Sequence, residues 1–146
     1  MAKRLVIPGN LYDRVLAQCQ EDWPKEACGI MTGHGEVVRR VYALPNAHPN
    51  PVSRYQIDPA DQHRAMSGVL AGQEELVAIY HSHPSTPAYP SQTDIAMANY
   101  PQAIYLIISL AREVPEVAAF RIVQGHVTPV PVRRVGTLIG EWVDLR

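Results

Sequence analysis

Leu76-Val77-Ala78-Ile79-Tyr80-His81-Ser82-His83-Pro84 is the stretch on which the reading of this chain turns. Its first five residues form a strongly apolar run, the signature of a buried β-strand. Residues i and i+2 of a strand point to one face, so His81 and His83 should project side by side from its C-terminal end. Pro84 then stops the strand. Asp94 follows on a second element. Ser91-Gln92-Thr93-Asp94 opens the helix-forming run Ile95-Ala96-Met97-Ala98, with Ser91 as N-cap and Asp94 as third helical residue, a capping-box arrangement. A helix that starts just after a histidine-bearing strand can deliver a third ligand to the same place. Two imidazoles and a carboxylate suit Zn²⁺, and three protein ligands leave the fourth tetrahedral position for water, as in catalytic sites.

Each piece alone has a plainer reading. A single histidine at a strand end is usually a polar terminus, and Ser91 with Asp94 can be only a helix cap. Their coincidence across one short loop carries the metal reading. Spacing excludes three other H-x-H groups. A metallo-β-lactamase pattern would need Asp and His where this chain has Ser85 and Thr86. A chain of 146 residues is too short for an eightfold amidohydrolase barrel. A cupin would want a Glu where Pro87 and Ala88 stand.

His81-Ser82-His83, seven residues, then Ser91-x-x-Asp94, with Glu26 upstream, resembles the JAMM (MPN+) metalloprotease family. Pro24-Lys25-Glu26-Ala27-Cys28-Gly29-Ile30-Met31-Thr32-Gly33 is similar to that family's segment in which a Glu precedes a small, Gly-containing strand. Arg54-Tyr55-Gln56-Ile57-Asp58-Pro59 resembles its strand that runs into the second helix through Asp-Pro. The resemblance spans about Leu5 to Val130. It implies an MPN/JAB-type, cytidine-deaminase-like α+β fold, a mixed α/β sandwich whose curved, largely antiparallel sheet is flanked by helices, with zinc at the sheet's edge. It implies one Zn²⁺ per chain with a bound water, held by His81, His83 and Asp94. Glu26 would be the catalytic acid/base and Ser91 the donor to the tetrahedral oxyanion. The implied substrates are ubiquitin-like or sulfur-carrier proteins with a Gly-Gly C-terminus, carrying either a lysine isopeptide or a single terminal cysteine. A non-catalytic MPN scaffold, or a peptidase of the same fold with an unrelated peptide substrate, are the rival readings.

Bulk properties agree with a folded enzyme. The length suits one domain, 1–146, with 135–146 as a packing or interaction tail. With 47% hydrophobic and 18% charged residues the chain is not disordered. A net charge of −1 offers no nucleic-acid footprint. No apolar run reaches the about 20 residues of a membrane span, and the apolar N-terminal stretch is too short for a signal peptide, so a cytoplasmic protein with no membrane contact is expected. The two cysteines, Cys19 and Cys28, cannot make a disulfide framework. Cys19 lies on the stripe Tyr12, Val15, Leu16, Cys19 and should pack in the core. Cys28 is either a small buried residue or an oxidisable thiol near the metal.

Further expectations follow from pattern. Leu5-Val6-Ile7 is a strand and Pro8-Gly9-Asn10 starts a helix to about Glu21. Strands at 27–32 and 36–43 flank a hairpin turn, and 44–53 is a proline-rich loop. A helix capped by Asp58, with Pro59 at its first position, runs to Ala71-Gly72 and buries Met66, Val69 and Leu70. Ser85–Pro90 is a stiff loop across the site, and the Ser91 helix ends near Tyr100-Pro101. Strands follow at 104–108, 117–123 and 127–132. His34, His48, His63 and His126 are not expected to be ligands, and Ser82 is assigned no chemistry. The apolar tail makes a homodimer a further expectation.

Overall fold

A computed structural model describes residues 3–146. The described residues form nine strands and four helices in the order β1 (Leu5–Pro8), α1 (Gly9–Asp22), β2 (Cys28–His34), β3 (Val37–Leu44), α2 (Pro59–Ala65), α3 (Ser67–Leu70), β4 (Glu75–His83), α4 (Gln92–Ala96), β5 (Ile104–Ser109), β6 (Glu116–Val123), β7 (His126–Val130), β8 (Val132–Val135) and β9 (Glu141–Asp144). The strands form one sheet in the order β7-β6-β5-β4-β2-β3-β1-β8, with β9 added to β3. The β3-β2-β4 and β5-β6-β7 ladders are antiparallel, while β4 and β5 run parallel. That α+β architecture agrees with the sequence reading.

β4 and β5 lie in the middle of the sheet, so both their faces are covered and the runs 76–80 and 104–108 are apolar. Side-chain alternation sorts β4 between two layers. Ala78 and Tyr80 join the cluster that α1 covers with Leu11, Val15 and Cys19. Ile79 joins Tyr105, Ile107 and Phe120 on the opposite face, where Ile95 of α4 packs. His81 and His83 share the parity of Ile79 and so emerge on the α4 face. The site therefore sits at the C-terminal end of a central strand, not at the sheet's edge as the resemblance implied.

Four expectations need correction. The second helix breaks at Met66 into α2 and α3, and among its expected buried residues Leu70 is 66% exposed, leaving Ala65 as the buried one. The cause is length: each piece is too short to present a continuous apolar stripe. α4 ends at Ala96, well before Tyr100. Residues 54–58 form no strand. β8 and β9 were not foreseen, because Val-Arg-Arg-Val and Glu-Trp-Val-Asp carry little apolar alternation. The tail packs on its own domain. β9 runs parallel to β3 along Arg40–Ala43, and Asn10 exchanges two hydrogen bonds with the Gly140 backbone. The Arg14 guanidinium lies over the Trp142 ring, and Arg146 reaches Asp22 and Glu21 on α1.

Candidate active site

His81, His83 and Asp94 converge as the spacing required. Their ligand atoms all lie within 4.8 Å of one another. His81 Nε2 is 3.1 Å from His83 Nε2 and 3.2 Å from Asp94 Oδ1, and His83 Nε2 is 2.9 Å from Asp94 Oδ2. A tetrahedral ion with bonds of about 2.0–2.1 Å sets its ligand atoms about 3.3 Å apart, so this triangle has the size of a metal's coordination face. Two imidazole nitrogens aimed at each other at 3.1 Å repel when both carry lone pairs, and a cation between them removes that repulsion. The donor set therefore fits a divalent ion.

Local bonds orient each donor. His83 Nδ1 bonds the Pro87 carbonyl at 2.8 Å, which leaves Nε2 as the donor atom facing the cluster. The Ser85–Pro90 loop thus supports the His83 ring from outside the cluster. The His81 ring stacks on Tyr55 with centroids 4.5 Å apart, while its Nδ1 is buried without a hydrogen-bond partner among the described residues. Asp94 is placed by the capping box: Ser91 Oγ accepts from the Asp94 N–H and Asp94 Oδ2 accepts from the Ser91 N–H. The cap itself holds the Asp94 carboxylate against the two imidazoles, so the two readings of Ser91-x-x-Asp94 do not compete. With its oxygen already accepting, the Ser91 hydroxyl keeps its proton free to donate.

Burial and mutual charge set the protonation. Burial lowers the pKa of His81. It pulls His83 down too, but hydrogen bonds to Asp94 and Pro87 outweigh it and raise the His83 pKa. Desolvation raises Asp94, yet the two imidazoles outweigh it and hold the carboxyl far below the usual carboxylate range. Asp94 is a committed anion, as a ligand must be.

Glu26 lies just before β2, 7% exposed, and burial lifts its carboxyl from 4.5 to about 7 against smaller opposing pulls from His83 and Arg54. Its placement comes from three contacts. The Glu26 N–H donates to the Pro51 carbonyl, and its own carbonyl accepts from Asn46 Nδ2. The adjoining Ala27 is stitched to β4 by Ser82, whose Oγ accepts the Ala27 N–H at 2.8 Å and whose N–H donates to the Ala27 carbonyl. Ser82 is thus structural, fixing the Glu26 segment against the His-Ser-His strand.

Cys28 is fully buried. Its thiol donates to the Leu44 and Pro45 carbonyls, and burial pushes its pKa up to about 12. Of the two readings offered for it, the small buried residue describes the structure, because a protonated, enclosed thiol is a poor redox group. Cys19 is likewise in the core.

Several site residues had no signal of their own. Asn46 is the organiser of the 44–53 loop. Its amide nitrogen donates to the Glu26, Pro51 and Arg54 carbonyls, and its oxygen accepts from the His48 and Gln56 N–H groups. Arg54 crosses to α4 and donates to Thr93 Oγ1 at 2.8 Å. His48 lines a cavity of about 480 Å³ with Arg54, Tyr55, Ser91, Thr93 and Asp94. That cavity reaches the triad at Asp94.

Fold and donor set together define the metallohydrolase-like class of JAB/MPN domains. Residues 8–123 match the family model described as prokaryotic homologs of the JAB domain, and the chain belongs to that family. It is 36% identical over 134 residues to the CysO-cysteine peptidase of Mycobacterium tuberculosis, covering 90% of this chain and 91% of that one. It is 40% identical over 96 residues to a probable TtuB-protein conjugate cleaving protease of Thermus thermophilus, covering 66% and 64%. The solution structure of protein DSY2949 from Desulfitobacterium hafniense superposes with a TM-score of 0.80 at 31% identity over 90% of this chain and 93% of that one. The fold is shared also with AF2198, a JAB1/MPN domain protein from Archaeoglobus fulgidus, at a TM-score of 0.59, 16% identity and coverage of 90% and 99%.

Proposed function

We propose that this chain, acting as one domain over residues 1–146, is a zinc-dependent peptidase that hydrolyses the amide or isopeptide bond after the C-terminal Gly-Gly of a ubiquitin-like or sulfur-carrier protein. The observation that carries the reading is the His81-His83-Asp94 triangle, with the buried Glu26 carboxyl near enough to feel the charges of His83 and Asp94. The names of the mycobacterial and Thermus relatives support the substrate class.

His81 Nε2, His83 Nε2 and an Asp94 oxygen would hold the ion. Zinc supplies Lewis acidity there, acidifying a water and polarising the scissile carbonyl. Glu26 takes a proton from the attacking water and delivers it to the departing amine. A carboxyl near 7 is suited to both transfers at neutral pH. Ser91 Oγ donates its free proton to the oxyanion as the carbonyl carbon becomes tetrahedral, a contact worth on the order of 3 kcal/mol in the barrier. The capping box positions that hydroxyl in advance. The balance is simple: water adds OH to the glycine carbonyl carbon, the C–N bond breaks, and the amine leaves protonated.

The test is incubation of the zinc-loaded protein with a carrier ending Gly-Gly-Cys and with the same carrier linked to a lysine ε-amine, read by mass. Chelator-sensitive release of cysteine or of lysine conjugate supports the reading. Stoichiometric zinc with neither product refutes it.

A further inference from the structure

The cavity beside the triad contains a cation that the hydrolytic machinery does not use. Arg54 lines it together with Ser91, Thr93 and Asp94. One of its guanidinium nitrogens is anchored to Thr93 Oγ1 at 2.8 Å. Its backbone is pinned from both sides, the N–H donating to the Asn50 carbonyl and the carbonyl accepting from Asn46 Nδ2. Among the described residues the guanidinium has no carboxylate within ion-pair distance, unlike those of Arg4, Arg14, Arg40, Arg64, Arg134 and Arg146. It nevertheless lies near enough to Glu26 to oppose the burial-driven rise of that carboxyl. Four of the five guanidinium N–H groups remain for another partner, in a fork that matches a carboxylate.

Chemistry at Glu26 says which carboxylate. The departing amine must sit beside Glu26 to receive its proton. When the released group is a single C-terminal amino acid, its α-carboxylate carbon is two bonds from that amine, so a free negative charge arrives next to Glu26. When the released group is a lysine ε-amine, four methylenes separate the nitrogen from a backbone that is itself amidated, and no carboxylate comes with it. An unpaired, pre-positioned arginine has a ligand in the first case and none in the second.

We propose that Arg54 is a specificity residue for the leaving group, receiving the free α-carboxylate of a C-terminal amino acid released from the carrier. This rests on the hydrolase reading above and narrows it to an exopeptidase preference. The residue binds substrate and takes no part in proton transfer.

The experiment compares three substrates built on one carrier: Gly-Gly-Cys as the free acid, Gly-Gly-Cys as the C-terminal amide, and Gly-Gly joined to a lysine ε-amine. The wild type should favour the acid over the amide by about tenfold or more in kcat/KM, the range expected for a charge-assisted pair. Arg54→Ala should bring that ratio close to one, and Arg54→Lys, which keeps the charge but loses the fork, should fall between. A second readout needs no turnover. Calorimetry of a short Gly-Gly-Cys peptide on the chelated protein should give tighter binding of the acid than of the amide, and Arg54→Ala should abolish the difference. A wild-type ratio near one, or a ratio unchanged in Arg54→Ala, overturns the inference while leaving the hydrolase intact. Cleavage of none of the three substrates by the zinc-loaded protein overturns the hydrolase reading and this inference with it.

Discussion

Replacing Glu26 by Gln should make the metal-free protein more stable and the zinc protein inactive, and the stability gain should depend on pH in a fixed way. Glu26 is buried, and its pKa rises from 4.5 to about 7, chiefly by desolvation. A raised carboxyl pKa means that the folded state binds the proton more tightly than the unfolded chain. Its contribution is therefore fully present below about pH 4.5 and is lost as pH rises through about 7. At about 1.36 kcal/mol per pH unit the ionised form costs about 3 kcal/mol. Relaxation of the surroundings and residual solvent screening reduce this to about 2 kcal/mol. Gln keeps the shape and never ionises. Thermal denaturation in chelator should then show Glu26→Gln and wild type melting nearly together at pH 4.5 and about 5 °C apart at pH 8, the variant higher. Glu26 also raises the His83 pKa, so the variant shifts that titration too, a smaller effect than the desolvation of Glu26 itself. A difference that does not change between pH 4.5 and 8, or a less stable variant at pH 8, would refute the claim that Glu26 is held as a desolvated base. Turnover should meanwhile fall with zinc content unchanged.

Three further outcomes follow from the same structure. Ser91→Ala should lower kcat by about 100-fold through loss of the oxyanion donor, while costing only about 1 kcal/mol of stability through loss of the cap; equal loss of zinc and activity would instead mark Ser91 as a mere support for Asp94. Asp94→Ala should remove the thermal stabilisation that zinc confers, about 2.7 kcal/mol in wild type at one hundred times the dissociation constant, and a melting curve still raised by zinc would place the ion elsewhere. Gly29→Ala should destabilise by about 2 kcal/mol or more, because the new methyl would overlap the ring of Tyr80, which is fully buried and bonded to Gln18 at 2.6 Å; chemical denaturation reads it, and a neutral result would mean that the ring can move.

The legible part of this molecule is the part whose residues are neighbours in sequence. His81 and His83 are two apart on one strand, and Ser91 and Asp94 share one helical turn, so strand alternation and capping rules place all four. The strongly apolar runs of β4 and β5 announce buried strands for the same reason. What stays hidden joins distant segments. Asn46 ties Glu26 to Arg54, Arg54 reaches Thr93, and Tyr55 stacks on His81. No local pattern encodes these contacts. The same holds for β8 and β9, exposed strands held by pairing with β1 and β3, and for the break at Met66, which splits the helix into two pieces too short to carry a continuous apolar stripe.

Peptidase action at the His81-His83-Asp94 site is tested most directly by the products, read by mass, of the zinc-loaded protein acting on a carrier that ends Gly-Gly-Cys, with zinc per chain determined on the same sample. One zinc per chain, lost in His81→Ala, with loss of a single cysteine from the carrier that stops on chelation, is the predicted result. Full zinc occupancy with an intact carrier and an intact lysine conjugate would contradict it.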